Sequence, residues 1–480
     1  MSNDPMRIHL SLVSHTNVGK TTLARTLLGR DIGEVADRAH VTETTDDYVL
    51  ARTPEGCELI LWDTPGFGNS VALAKRLEGR ANPVGWFLSE VWDRVANKSL
   101  WLNQKALKHV KETSSVVLYL VNATELPDSA PYVSAEMRIL EWIGKPVIVL
   151  LNQMGEPKPP EAEQAEVDRW INAMSSYPIV KSVLPMDAFA RCWVQEFALF
   201  DVIAKALPDE LQPTFDALRD VWARKRRAAY NASIQAMAHY LEKLANDREV
   251  VESAPIKDQL RLLGKRLGLF KNETIDDPIG AAQTALTSRA ADELCALTDK
   301  LIEINSLKGK GVKKELLQRL QSDWKITSAI PLAPAVAAGA ISSGIASGVV
   351  ADLTTGGLTM GLGTLVGMLA GALGGAGLTV AYNHKKEIDG TVITWSEEAL
   401  KKFLFEAICL YIAVAHFGRG RGNWHENEPP NCLIKTIKSK LEKKSTLDKL
   451  NYQSYINEII LDSLYARYTI NPTKTTCYLN

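Results

Sequence analysis

The alternation of hydrophobic and polar residues divides the chain into two differently patterned parts. In the first 200 residues, short runs rich in β-branched residues alternate with amphipathic helical segments. The runs that predict strands are residues 7–13, 47–52, 57–63, 115–121 and 146–152, with a weaker sixth at 182–189. Strands that alternate with helices in this way are typical of a parallel sheet covered on both faces. The pattern therefore predicts an α/β, doubly wound fold with a mostly parallel sheet.

After residue 200 the pattern changes to long, charged helices, which one nearly uncharged stretch interrupts. Within that stretch, residues 329–351 and 358–382 are each long enough to cross a bilayer as a helix. Small residues recur there at every fourth position, which lets two helices approach closely: Ala340, Gly344 and Gly348, then Gly363, Gly367, Gly371 and Gly375. We therefore predict four domains: a first domain at 1–200, a helical domain at 201–325, a glycine-rich helical hairpin at 326–388 and a C-terminal helical region at 389–480.

Composition narrows the class of protein. The net charge is −1 and charged residues make up 23 % of the chain, so no overall attraction to nucleic acid is expected. The six cysteines form no Cys-x-x-Cys pair, which is typical of reduced thiols and not of a disulfide framework or a zinc site. The N-terminus lacks a basic stretch followed by a long apolar run, so we expect no secretory signal.

A phosphate-binding loop follows the first predicted strand. Residues 14–21 match the pattern G-x-x-x-x-G-K-[ST], except that Ser14 replaces the first glycine. Between a strand and a helix, such a loop presents backbone N–H groups and the helix N-terminus to phosphates. Lys20 is expected to neutralise the β- and γ-phosphates, and the Thr21 hydroxyl to ligate Mg²⁺. The predicted nucleotide-binding residues of this loop are Ser14, His15, Thr16, Asn17, Val18, Gly19, Lys20, Thr21 and Thr22.

Two further elements occur in the order that a P-loop NTPase requires. Asp63 ends a predicted strand in the run Leu-Ile-Leu-Trp-Asp-Thr-Pro-Gly. In this fold that aspartate holds Mg²⁺ through water, and the Gly66 N–H contacts the γ-phosphate. Thr42 precedes a strand and is placed to sense Mg²⁺ and the γ-phosphate as a switch residue. Thr44 and Thr45 are alternatives for the same role.

These motifs resemble those of the Era and TrmE-type GTPases. The resemblance rests on Asn-Val-Gly-Lys-Thr, then Val-Thr, then Asp-Thr-Pro-Gly-Phe, and it covers roughly residues 6–190. The whole chain resembles an uncharacterised group of bacterial GTPases with a C-terminal glycine-rich domain of unknown function, on the runs LNQMG, DAFARCWVQE and AVAHFGRGRGNW. The resemblance implies that residues 1–200 form a GTPase domain, which binds GTP or GDP with Mg²⁺ and hydrolyses GTP slowly without a partner.

The motif with which this family reads the base is incomplete here. The family pattern is Asn-Lys-x-Asp, and the equivalent stretch, 152–155, ends in Gly155 where the family has the guanine-binding aspartate. Loss of a buried polar match weakens discrimination between bases, although Glu156 or Asp187 could substitute for the carboxylate. The residues predicted to bind the base are Asn152, Gln153, Asp187 and Ala188.

Hydrolysis also departs from the common pattern. Where Ras-like proteins carry a glutamine that orients water, this chain has Phe67, which cannot do so. In the TrmE-like subgroup an asparagine at the position of Asn17 helps to bind K⁺ beside the phosphates, and the alternative is that Asn17 only shapes the loop. The residues predicted to act in catalysis are Lys20, Thr42, Gly66 and Asn17; those predicted to ligate metal are Thr21, Thr42 and Asp63 for Mg²⁺ and Asn17 for K⁺.

Two helical segments carry weaker signals. The stretch between residues 67 and 114 is longer than a switch segment needs, and it contains Trp86, Trp92 and Trp101. These tryptophans either pack onto the neighbouring helical domain or relay the nucleotide state to a partner. The basic run at 224–227 predicts a solvated helix face, with anionic lipid or RNA as the alternative.

The glycine-rich hairpin supplies the leading hypothesis for the protein's output. Asp352 is the only charged residue from 329 to 382, and Lys325, Lys385 and Lys386 flank the stretch, so both open ends suit the cytoplasm. A close-packed helical pair inside a soluble domain would have a similar composition, because alanine and glycine are only weakly hydrophobic. We favour a hairpin that inserts conditionally and contacts membrane lipid or a membrane protein.

The sequence thus predicts a GTP-hydrolysing molecular switch at or near the bacterial inner membrane. We expect a cytoplasmic protein that is peripheral to the cytoplasmic face of that membrane or inserted there by its hairpin. One alternative is an Era-like role in ribosome or RNA assembly, a class of partner that we favour less. Another is a nucleotide-dependent interaction module that does not hydrolyse GTP. Assembly into an oligomer stays open.

Overall fold

The computed structural model describes residues 5–28, 46–90, 98–154, 160–186, 193–251, 278–305, 378–382, 391–417, 431–444, 447 and 451–468. The strands are β1 (Arg7–Ser14), β2 (Asp46–Arg52), β3 (Glu58–Asp63), β4 (Val116–Asn122), β5 (Val147–Asn152), β6 (Val180–Pro185), β7 (Arg248–Val251), β8 (Leu378–Tyr382) and β9 (Thr391–Trp395). The helices are α1 (Lys20–Leu28), α2 (Ser70–Leu77), α3 (Pro83–Ser89), α4 (Lys98–Thr113), α5 (Pro131–Ile143), α6 (Pro160–Met174), α7 (Trp193–Ala206), α8 (Gln212–Asn246), α9 (Pro278–Ile304), α10 (Glu397–Ile412), α11 (Asn431–Lys443) and α12 (Tyr452–Tyr468).

The first six strands form one sheet in the order β2-β3-β1-β4-β5-β6. All neighbouring pairs are parallel except β2 and β3, which are antiparallel. The predicted α/β fold with a mostly parallel sheet is confirmed. Because β1 lies between β3 and β4, the loop that follows β1 emerges at the centre of the sheet, where open α/β sheets bind their ligands.

Side-chain alternation along the strands divides the sheet residues between two cores. On one face, alternate residues such as Leu10 and Leu12 pack with α1, α7 and the first half of α8. On the other face, residues such as Tyr119 and Val121 pack with helices α2 to α6. The sheet is therefore covered by helices on both sides, as the continuous apolar runs of its strands predict.

A third core lies beyond the sheet and is organised around the second half of α8. Residues of that half, including Met237 and Leu241, pack with Leu294 of α9, Phe403 of α10 and Ile459 of α12. Helices from the predicted domain at 201–325 and from the region at 389–480 therefore share one core. The domain limits themselves stay a prediction.

A second, three-stranded antiparallel sheet has the order β7-β9-β8. It corrects the predicted helix at 358–382, because residues 378–382 form strand β8, with Leu378 opposite Trp395 of β9. The β-branched and aromatic residues of this run fit a pleated strand. Residues 329–377, which hold the rest of the predicted hairpin, lie outside the described residues. Of the helices that the structure describes, none is long and apolar enough to cross a bilayer.

Candidate phosphate-binding site

The loop between β1 and α1 has the backbone shape of a phosphate-binding loop. Asn17 and Gly19 both adopt left-handed conformations, with φ of 65° and 94°. The Leu23 N–H donates to the Gly19 carbonyl oxygen over 3.0 Å, so the helical hydrogen bonding begins immediately at the loop. The N–H groups of the first turn of α1 have no partner within the helix and are available to an anion.

Lys20 is buried inside this loop, with 7 % of its surface exposed. Its Nζ donates a hydrogen bond of 2.9 Å to the Ser14 Oγ, and that hydroxyl donates in turn to the His15 carbonyl oxygen. Burial lowers the pKa of Lys20, while the charges of Asp63 and Glu136 oppose this shift. Ser14, which replaces the first glycine of the motif, thus holds the lysine that the motif requires.

Buried Asp63 and half-buried Thr21 bring two oxygen donors together beside Lys20. The Thr21 Oγ1 donates to the Asp63 Oδ2 over 2.5 Å. The other carboxylate oxygen, Oδ1, is buried without a hydrogen-bond partner among the described residues. Burial raises the pKa of Asp63, and the Lys20 charge acts in the opposite direction. An unpartnered carboxylate oxygen next to a hydroxyl fits Mg²⁺, which prefers hard oxygen ligands and would offset phosphate charge here.

The Asp-Thr-Pro-Gly segment crosses directly over the phosphate-binding loop. The Phe67 N–H donates to the Ser14 carbonyl oxygen over 2.9 Å. A Cβ on Gly66 would lie 3.0 Å from both the Lys20 Nζ and the Thr16 Cα, so a side chain here would have to displace the loop or Lys20 slightly. The Phe67 side chain is fully buried in the core beneath the segment. It faces away from any phosphate on the loop, in agreement with its predicted inability to orient water.

The end of β5 is attached to the phosphate-binding loop by two amide side chains. The Asn152 Nδ2 donates to the Val18 carbonyl oxygen over 2.6 Å. The Gln153 Nε2 donates to the Asn17 carbonyl oxygen over 3.4 Å, from a left-handed backbone with φ of 55°. Both residues are thereby brought to the site, and their role toward the base stays a prediction. The predicted residues that lie outside the described ones are Thr42, Thr44, Thr45, Gly155, Glu156, Asp187 and Ala188.

A buried carboxylate next to the loop escaped the sequence analysis. Glu136 of α5 is fully buried, and its Oε1 lies 2.8 Å from the His15 Nδ1. Its Oε2 accepts a hydrogen bond of 2.8 Å from the Tyr119 hydroxyl. The His15 ring also stacks on Tyr132, with 4.4 Å between the ring centroids. Since Glu136 lies 121 residues from His15, no local pattern could have revealed the pair.

The structure also revises two of the weaker predictions. Trp86 packs against the core formed by α2 to α6, beneath the Arg80 guanidinium at 3.4 Å, and the described residues of that core all belong to the first domain. In the basic run, Arg226 is largely buried and pairs with Glu196 over 2.8 Å. Its Nη2 also donates to the Leu27 carbonyl oxygen at the end of α1, over 3.1 Å. Trp92 lies outside the described residues.

Comparison with known proteins shows which kind of domain carries this site. A family model described as "50S ribosome-binding GTPase" matches residues 9–153. Residues 9–153 form a P-loop GTPase domain of the Era-like type. "GTPase Era" of Aquifex aeolicus (strain VF5) is 26 % identical over 212 residues, which are 43 % of this chain and 58 % of that protein. The chain therefore spans little more than half the length of this relative.

Solved structures of Era are similar to parts of this chain at low identity. One, Era in complex with MgGDPNP and nucleotides 1506–1542 of 16S ribosomal RNA, is 18 % identical, with a TM-score of 0.32, over 52 % of this chain and 74 % of that one. Another, a variant of Aquifex aeolicus Era bound to GDP and AlF4⁻, is 17 % identical, with a TM-score of 0.31, over 60 % and 88 %. A second family model, described as "Domain of unknown function (DUF3482)", matches residues 317–455.

Proposed function

We propose that this chain binds GTP with Mg²⁺ and hydrolyses it to GDP and phosphate as a molecular switch. The observation that carries the proposal is the arrangement of buried Ser14, Lys20 and Asp63 with half-buried Thr21, in which one Asp63 carboxylate oxygen has no hydrogen-bond partner among the described residues. Such a group is costly in the free protein, because two charges are held with little water around them. A phosphate group with its divalent cation compensates both charges.

The chain contributes to hydrolysis mainly by position and charge. Lys20 lies where the β- and γ-phosphates of a loop-bound nucleotide would sit, and Thr21 and Asp63 would hold the cation. We assign to the Gly66 N–H a hydrogen bond to the γ-phosphate, since Gly66 lies close to Lys20. We assign the switch role to Thr42. Preorganised donors of this kind stabilise the charge that develops on the transferred phosphoryl group.

Because Phe67 is buried, we assign a further stabilising charge to K⁺ bound near Asn17. Asn17 is exposed on the loop, in a left-handed conformation, and its side chain makes no hydrogen bond to another described residue. Its amide oxygen is therefore available to a monovalent cation. A cation at this position would act beside the phosphates as an arginine does in other GTPases.

Phosphate release in matched salts tests this function. With GTP and Mg²⁺, we expect the full chain to release phosphate about tenfold faster in K⁺ than in Na⁺, which corresponds to a barrier ~1.4 kcal/mol lower. Asn17→Ala is expected to lose the K⁺ effect, and Lys20→Ala, the negative control, to lose activity in both salts. Equal rates in both salts would remove the K⁺ assignment alone. If phosphate release did not depend on Lys20, hydrolysis at this site would be contradicted. The alternative of a nucleotide-dependent interaction module that does not hydrolyse GTP would then be favoured.

We further propose that the switch acts at the cytoplasmic face of the bacterial inner membrane through its glycine-rich segment. With 378–382 in a strand, residues 358–377 still make up the roughly 20 residues that a helix needs to span a bilayer. Helix α8 packs in both the GTPase core and the third core, so the two ends of the chain share one element. A second candidate is a ribosome or RNA partner, which the name of the matching family model favours.

Fractionation of cells that express the full chain separates these two outputs. We expect a substantial part of the protein to pellet with the membranes and to be released by detergent but not by high salt. A variant that lacks residues 329–377 is expected to leave the pellet. The RNA partner would be supported instead if all of the protein stayed in the supernatant and was recovered with RNA or ribosomes. Ribonuclease treatment should then abolish that association.

A further inference from the structure

We propose that Asn103, on α4, is a positioning residue that fixes the Gly66 N–H for recognition of the γ-phosphate. The proposal rests on the function proposed above, since it assigns a task to a residue outside the known motifs. It predicts that Asn103 sets the preference of the site for the nucleoside triphosphate over the diphosphate. Asn103 itself does not touch the nucleotide.

The observation is a two-way clamp on the backbone of one residue. The Asn103 side chain is fully buried. Its Oδ1 accepts a hydrogen bond of 3.1 Å from the Gly68 N–H, and its Nδ2 donates one of 2.8 Å to the Gly68 carbonyl oxygen. One side-chain amide thus binds both polar groups of a buried glycine. Without it, these two backbone groups would lose partners in a place that water does not reach, which is costly.

Within the part of the chain that the structure describes, two hydrogen bonds to β1 also hold the segment from Thr64 to Gly68. The Thr64 Oγ1 donates to the Leu12 carbonyl oxygen over 2.6 Å, and the Phe67 N–H donates to the Ser14 carbonyl oxygen over 2.9 Å. These two bonds attach the segment to β1. Asn103 attaches its far end to a helix on the other side. Gly66 lies between the attachments, so its position depends on all three.

Position matters at Gly66 because the clearance there is small. A Cβ at this residue would already lie 3.0 Å from the Lys20 Nζ. The proposal assigns the Gly66 N–H to the γ-phosphate, which only the triphosphate carries. A displacement of about 1 Å in such a group can reduce its contribution by up to about two orders of magnitude. Release of Gly68 would therefore lower the affinity for GTP and hardly change the affinity for GDP.

The next residue along α4 supplies a matched control. Gln104 also uses its side-chain amide to bind backbone carbonyl oxygens, but those of Phe87 and Glu90 at the end of α3, over 3.0 and 2.6 Å. The two amides belong to the same helix and the same core region. Only Asn103 contacts the segment that carries Gly66.

The test is a comparison of two affinities in the full chain. Dissociation constants for GDP and for a non-hydrolysable GTP analogue are measured with Mg²⁺ in wild type, Asn103→Ala and Gln104→Ala. We expect Asn103→Ala to weaken the analogue about tenfold relative to GDP, and Gln104→Ala to leave that ratio within about twofold while lowering the melting temperature similarly. Asn103→Asp keeps the acceptor and the size of the side chain, and it should give an intermediate ratio.

Each outcome distinguishes the positioning role of Asn103 from the proposed GTPase function on which it rests. An unchanged ratio in Asn103→Ala, or equal losses for both nucleotides, would overturn the positioning role and leave the proposed GTPase intact. Failure of wild type to bind either guanine nucleotide would overturn the proposed function itself. Should Asn103→Ala not fold, Asn103→Asp decides, because loss of the single hydrogen bond to the Gly68 carbonyl oxygen then has to change the ratio.

Discussion

Replacing Lys20 with alanine is expected to lower the affinity for GTP by at least about 100-fold and to abolish phosphate release. Removal of one partner from a buried, hydrogen-bonded charge pair typically costs about 2–5 kcal/mol in binding. With a bound nucleotide Lys20 would be such a partner of the phosphates, because it is almost fully buried on the loop. Titration of a fluorescent GTP analogue, together with a phosphate-release assay, measures both effects.

The same substitution should leave the nucleotide-free protein folded. Burial lowers the pKa of Lys20, so its charge is already unfavourable in the free protein. Without that charge, the buried Asp63 carboxyl loses the neighbour that lowers its pKa and takes up a proton more readily. We therefore expect thermal unfolding within a few degrees of wild type. Lys75→Ala, on the exposed surface of α2, serves as the control for charge alone. If Lys20→Ala bound GTP with an affinity within threefold of wild type, the phosphate site would have to lie elsewhere.

Replacing Gly19 with alanine is expected to weaken nucleotide binding by about 100-fold through the shape of the loop. Gly19 has a φ of 94°, a conformation that disfavours any side chain. An added Cβ would also lie 2.6 Å from the Asn152 Nδ2, which already donates to the Val18 carbonyl oxygen. Relief of this clash displaces either the loop or the end of β5. Isothermal titration with GDP and with a GTP analogue should show similar losses for both.

Gly144 provides the control that separates backbone strain from the clash. It ends α5 with a φ of 76°, and an added Cβ would meet nothing within 4 Å. Gly144→Ala is therefore expected to cost about 1 kcal/mol of stability and to leave nucleotide binding unchanged. If Gly19→Ala lost stability to the same extent and still bound normally, the left-handed loop would not be needed for binding.

Local patterns were sufficient to predict the main sheet and the phosphate-binding loop. Four of the six strands are apolar runs, β2 keeps the predicted run between charged ends, and β6 begins two residues before the weaker run predicted at 182–189. The loop motif specifies its own backbone, including the left-handed Gly19. In the sequence, Ser14 is recognisable only as a departure from the motif, because no pattern indicates that its hydroxyl would hold Lys20. The chemistry of the motif was predictable, but the way in which this chain satisfies it was not.

The missed features depend on residues far apart in the chain. Asn103 lies 35 residues from Gly68, and Glu136 lies 121 residues from His15. The small sheet pairs β7 with β9 across more than 130 residues, and its strands have only four or five residues each. Strand β8 follows a long apolar stretch, so the pattern alone predicts that its β-branched residues continue a helix. Periodicity cannot reveal contacts that only the folded chain creates.

The continuous helix α8 has a mechanical consequence for any motion of the GTPase domain. Its 35 residues extend over about 50 Å at 1.5 Å per residue. Arg226, near its middle, is bonded to the Leu27 carbonyl oxygen at the end of the helix that follows the phosphate-binding loop. A tilt of about 5° at one end of a rod of that length would move the other end by about 4 Å. The GTPase domain and the third core are therefore connected by one continuous helix and not by a flexible linker, so a tilt of the helix in one would displace the other.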